Sequence, residues 1–149
     1  MVYQLRDLEN EVKRRWSEDP VAEMCLRLIR YMRDQPNQNL RMLTYLNIGE
    51  ILNHHPLNEN VQRAITILVS SKIHALEKRF LFIDDETYEE YEIQYEDIEE
   101  ANHTGLFIHP RTGEEVKNFE SKIVPFFVPS QEFIELKRKQ YAGTGNYSK

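Results

Sequence analysis

The chain has 149 residues, 40% hydrophobic and 30% charged, with 19 basic against 25 acidic side chains and a net charge of −6. That is about one domain's length with enough apolar material for a packed core, and its acidity argues against a basic nucleic-acid coat protein or a polybasic membrane binder. No apolar run approaches the roughly 20 residues of a membrane span, the charged opening MVYQLRDLENEVKRRW does not read as a signal peptide, and the single cysteine excludes both an internal disulfide and a four-cysteine zinc site, so a cytoplasmic protein with no membrane partner is expected.

Residues 3–16 read as a helix, with Leu5, Leu8, Val12 and Trp16 on one narrow face. That stripe packs either on its own domain or on a partner, which includes a second copy in a homodimer. A second helix begins after Asp19, a good N-cap, with Pro20 in the first helical position. Val21, Met24, Cys25, Leu28, Ile29 and Met32 form its apolar face. Cys25 sits mid-stripe with no sign of an activated thiol nearby, which favours a buried small hydrophobe over a nucleophile. After a turn at 36–39, residues 40–43 suggest a brief strand. Residues 47–53 suggest a short helix capped by Asn47, with Glu50 completing a capping-box-like pair, and His54, His55 and Pro56 end it. Asn58 opens the next helix. Its buried face is Val61, Ala64, Ile65, Leu68 and Val69, and its polar face is Asn60, Gln62, Arg63, Thr66 and Ser70.

Past Lys72 the period shifts to two. Residues 76–83 read as a strand, 84–87 as a turn, and 88–95 as the antiparallel return with Tyr91, Ile93 and Tyr95 alternating. Residues 84–100 carry ten acidic side chains and no Lys or Arg. The interleaved Tyr88, Tyr91, Ile93 and Tyr95 mark the stretch as ordered, so it is a solvated face, a surface for a basic partner, or one that repels nucleic acid.

The run NIGEILNHHPLNENVQRAITILVSSKI (47–73), flanked by a helix before it and a hairpin after it, resembles the winged helix-turn-helix superfamily over about residues 21–95. The resemblance implies that the helix opened by Asn58 is a recognition helix. In a DNA-binding member Asn60, Gln62, Arg63 and Thr66 would read base edges, and Arg41 and Lys72 would contact phosphates. The wing here is DDETYEE, acidic where phosphates would lie, which favours a protein partner over duplex DNA.

Residues 104–116 suggest a small hairpin turning at PRTG. Phe119, Ile123, Val124, Phe126, Phe127 and Val128 follow, and Pro125 and Pro129 point to an extended edge segment. Phe126 and Phe127 either close the core or anchor a partner. Ser130 caps a last helix to residue 141, and residues 142–149 resemble a frayed tail. No phosphate-binding glycine loop, zinc-protease motif or nucleophile elbow is present, so no catalytic residue and no cofactor is expected. The spacing allows a metal set such as His103 and His109 with Glu114 but does not indicate one.

These readings combine into an α+β fold. An N-terminal amphipathic helix (1–18) precedes a winged-helix-like core (19–96), a C-terminal hairpin and helix extension packed on it (97–141), and a flexible tail (142–149). The expected role is a non-catalytic accessory or adaptor subunit that recognises a larger protein, in a nucleic-acid-processing or phage-conflict complex. Its docking residues would be Leu5, Leu8, Val12, Trp16, Glu89, Glu90, Glu92, Phe126 and Phe127. The alternatives are a dimeric sequence-specific transcriptional regulator and an acidic DNA mimic.

Overall fold

The structure, a computed structural model, describes residues 3–145. Among these residues six helices and a small antiparallel sheet make a mixed α+β fold, as the spacing of apolar residues predicts. Helix α1 (Leu5–Arg15) is opened by Gln4 with Asp7 reaching back to the Gln4 N–H, and it ends on Lys13, Arg14 and Arg15, which suit the negative helix terminus. Helix α2 (Pro20–Asp34) starts as expected. The Asp19 carboxylate accepts from the Val21 N–H at 3.0 Å and Pro20 occupies the first turn.

A 3₁₀ turn at Asn37–Leu40 replaces the brief strand expected at 40–43, and of that stretch Leu43 alone forms a β-bridge. Helix α3 (Tyr45–Leu52) begins two residues before the expected start. Thr44 is the cap, accepting from the Asn47 N–H while the Asn47 side chain accepts from the Thr44 N–H, both at 3.1 Å. The box is thus Thr44 with Asn47 rather than Asn47 with Glu50. Helix α4 (Glu59–Val69) follows a tight turn and is capped by Asn58, whose side chain takes the Asn60 and Val61 N–H groups.

Strand β1 (Leu76–Ile83) has the expected bounds, and β2 (Glu90–Ile93) returns antiparallel with Phe82 opposite Tyr91. Tyr95 does not continue that strand. It starts helix α5 (Tyr95–Thr104), which ends on Gly105 in the left-handed conformation. Strands β3 (Phe107–Ile108) and β4 (Glu115–Val116) form the small hairpin.

Strand β5 (Ile123–Pro129) sits on the far side of β1, giving the order β2-β1-β5. Phe127 exchanges both backbone hydrogen bonds with Leu43, at 2.9 and 2.7 Å. Pro125 and Pro129 share the parity of Phe127, so their missing N–H groups fall on that outer edge, where no ladder needs them. Ser130 then caps helix α6 (Gln131–Gly145). Its hydroxyl accepts from the Phe133 N–H and donates to the His74 carbonyl. The helix continues through residues 142–145 of the expected tail, and residues 146–149 lie outside the described ones.

The chain divides into two compact units, Met1–Glu77 with Phe127–Lys149, and Lys78–Phe126. The boundaries differ from the expected 19–96 and 97–141, because β5 and α6 return to complete the first unit. That unit's core joins Leu28, Ile29 and Met32 of α2 to Val61, Ala64 and Leu68 of α4, Ile48 and Leu52 of α3, Phe127 and Phe133. The core of the second unit is Phe82, Ile93, Ala101, Phe107 and Phe119, with the Phe107 and Phe119 rings stacked at 5.4 Å.

Candidate interaction surface

The apolar residues expected to dock a partner lie inside the chain's own core. Leu5, Leu8 and Val12 are 3%, 4% and 0% exposed, and Trp16 packs on the same cluster. Burying each such side chain is worth about 1.5–3 kcal/mol, so Leu5, Leu8 and Val12 belong to the chain's own core. Phe126 and Phe127 are likewise buried, and the Tyr45 ring meets Phe127 edge-on at 5.1 Å. They close the core instead of anchoring a partner.

The polar face of α4 is also engaged. Arg63 forms a bidentate pair with Asp19, at 2.7 and 3.2 Å, and donates to the Asn60 side chain at 3.2 Å. This contact holds the Asp19 carboxyl below its usual range, its hydrogen bond from Arg63 being the largest cause. Gln62 donates to the Pro56 carbonyl at 2.7 Å, and Thr66 donates to the Gln62 carbonyl. Of the four expected base readers, Gln62 and Arg63 therefore tie α4 to its preceding turn and to the start of α2, while the Asn60 and Thr66 side chains bond within α4 and Thr66 stays exposed. Arg41 and Lys72 remain exposed.

His109 and Asp84 form a pair that sequence spacing did not suggest. His109 Nε2 faces Asp84 Oδ2 at 2.8 Å, and its Nδ1 accepts from the Arg111 and Thr112 N–H groups at 3.1 and 3.2 Å. With Nδ1 an acceptor, the ring proton lies on Nε2 and is donated to Asp84. Asp84 Oδ1 takes the Glu86 and Thr87 N–H groups. These backbone donors, Glu86 first, and then His109 lower the Asp84 carboxyl to about 2. The Phe82 and Tyr91 rings flank the imidazole at 5.2 and 5.3 Å.

Both ring nitrogens are occupied, so His109 has none left to ligate a metal with His103 and Glu114 or to activate a nucleophile. No group of three or more metal-ligating side chains exists among the described residues. The pair instead locks two turns, 84–88 and 109–113. Cys25 is fully buried, donates weakly to the Ala64 carbonyl at 3.8 Å, and burial pushes its thiol up to about 12. It is a core residue.

The acid is concentrated in the second unit. Lys78–Phe126 holds thirteen acidic and five basic residues, a net of −8, while the rest of the chain is +2. Glu89, Glu90 and Glu92 are exposed as expected. Glu89 accepts from the Tyr91 hydroxyl and pairs with Arg111 at 3.6 Å, and Glu92 pairs with Arg79 at 3.5 Å. Beside them runs an open groove of about 570 Å³. Its floor includes Ile93, Ala101 and Phe107, its rim carries Glu92, Asp97 and Glu100, and Leu106 and Ile108 line it while about half exposed, at 48% and 51%.

The groove depends on α5, which a reading of 88–95 as one strand hides. Gly105 at a helix end and the three-residue steps Tyr95, Ile98 and Ala101 are the signals that mark it. No described helix is long and apolar enough to cross a membrane. Comparison with protein-family models, with curated proteins and with solved structures gave no match for this chain.

Proposed function

We propose that this chain is a non-catalytic accessory or adaptor subunit of winged-helix type that acts by recognising a protein. The order α2, bridging Leu43, α3, α4, β1 and returning β5 supports the winged-helix reading. In that reading β5 rather than β2 is the second wing strand, and residues 84–122 expand the wing into an acidic unit of its own. The observation that carries the functional reading is a contrast in charge. Arg63, the one cation among the expected base readers, is paired with Asp19, while the exposed Glu89, Glu90 and Glu92 belong to a unit of net charge −8. Phosphate neutralisation dominates DNA affinity, and this surface repels phosphate.

The test is affinity capture with the tagged chain from native lysate, with and without nuclease. A protein retained after nuclease treatment, and lost when Glu89, Glu90 and Glu92 are changed together to Lys at unchanged melting temperature, supports the adaptor. Duplex binding that weakens with Arg63→Ala and falls steeply with salt would replace it with the regulator. A captured protein that loses its own DNA binding in competition would identify a DNA mimic.

A further inference from the structure

We infer that the groove of the acidic unit takes a short extended peptide segment in which basic and apolar side chains alternate. This rests on the adaptor reading and names the chemistry of its partner. Leu106 and Ile108 are two residues apart around β3, so they share one side while Phe107 turns inward at 3% exposure. That spacing, about 7 Å along a strand, matches alternate side chains of an extended peptide. The acids supply the complement. Asp97 and Glu100 enter none of the ion pairs found among the described residues, Arg111 on the same groove being paired with Glu89, and Glu92, paired with Arg79, adds a third carboxylate on the rim. Strand β2, whose end residues Glu92 and Ile93 line the groove, pairs with β1 on one side and with no other named strand. Its open edge gives an extended segment backbone groups to pair with. The net charge of −8 on this unit draws a basic segment toward the groove before contact.

The probe is a fluorescein-labelled heptapeptide alternating Lys with Val or Leu, titrated into the full chain at about 50 mM and about 500 mM salt, where screening lengths differ several-fold. Asp97→Lys with Glu100→Lys is expected to weaken binding at least about tenfold at low salt, with the loss shrinking at high salt. The neutral pair Asp97→Asn and Glu100→Gln is expected to give a smaller loss of the same kind. Leu106→Ser with Ile108→Ser is expected to weaken binding about fivefold at both salts, because apolar burial is not screened. Glu86→Lys with Glu120→Lys, an equal charge change outside the groove, should alter affinity less than about twofold, and amide shifts should map to residues 92–113.

Three results would each overturn the inference. One is equal loss from the Glu86 and Glu120 pair. Another is equal affinity for a Lys–Gly heptapeptide or displacement by spermine at matched charge. The third is no binding by the folded chain. Capture of a partner that needs Glu89 and Glu90 but ignores Asp97, Glu100, Leu106 and Ile108 would remove the groove and leave the adaptor. Specific peptide binding without a nuclease-resistant protein partner would keep the groove and remove the adaptor.

Discussion

Replacing Gly49 with alanine is expected to destabilise the protein even though alanine is the better helix former. Gly49 lies inside α3, at the point where the chain doubles back toward α4. A Cβ there would sit 2.8 Å from the His54 carbonyl oxygen, 3.1 Å from Pro56 N and 3.2 Å from Pro56 Cα. All three are backbone atoms of a tight turn, which cannot rotate away as a side chain would. Helix propensity favours alanine over glycine by about 1 kcal/mol, whereas forcing a methyl into a close-packed site costs about 1–3 kcal/mol.

The turn is held from both sides, by the Gln62 side chain on the Pro56 carbonyl and by the His54 N–H on the Gly49 carbonyl. Backbone held this way cannot yield, so the packing cost falls in the upper part of its range, about 2–3 kcal/mol, leaving a net loss of about 1–2 kcal/mol, or about 3–6 °C in melting temperature for a chain of this size. Thermal and urea melts followed by circular dichroism measure it. Gly113→Ala is the control, because its added Cβ meets nothing within 4 Å and its cost comes from a positive φ of 76° instead. A Gly49→Ala protein as stable as the wild type, or more so, would show that α3 and the turn do not approach as closely as described.

Phe127→Ala should lose about 3–5 kcal/mol, since the ring is 1% exposed and meets Tyr45; denaturant unfolding measures this. Cys25, with its thiol pushed up to about 12 and no exposed surface, should react with a thiol reagent at neutral pH only as fast as the protein opens; labelling rates in a urea series check it. Asp84 is held at about 2 in the fold against 3.8 when unperturbed, so it contributes stability above pH 4 that is lost as pH falls from about 4 toward 2. Asp84→Asn should flatten that part of the stability profile, read from the Tyr91 ring signals in an acid titration.

Much of the first unit is legible from local chemistry. Asp19 and Pro20, Asn58 and Ser130 each announce a helix start through a side chain that satisfies free N–H groups, and the structure places a cap at all three. The β1 bounds follow from the change of apolar period. The start of α3 is misread because Thr44 and Asn47 compete for the same role, and only their reciprocal bonds decide between them.

Long-range pairing is what the sequence hides. Nothing local to Leu43 says that its partner is Phe127, so the return of the chain after residue 122 is invisible in the pattern. The site fails for a related reason. Arg63 looks free for a ligand until Asp19, 44 residues away, is found against it. The N-terminal stripe is ambiguous in the same way, because periodicity reports an apolar face and does not name what covers it.

The first unit is discontinuous in sequence, and this bears on how the molecule is made. Residues 78–126 form a continuous nested segment, and Phe127 and Phe133, which complete the first unit's core with Leu43, are synthesised after it. Bringing Phe127 back to Leu43 across a flexible segment of that size costs about 3–4 kcal/mol in chain entropy, and less once the segment is already compact. The acidic unit thus has a second effect, on timing. Its own folding shortens the effective loop, so substitutions that loosen Phe82 or Phe107 are expected to slow completion of a core that contains neither residue.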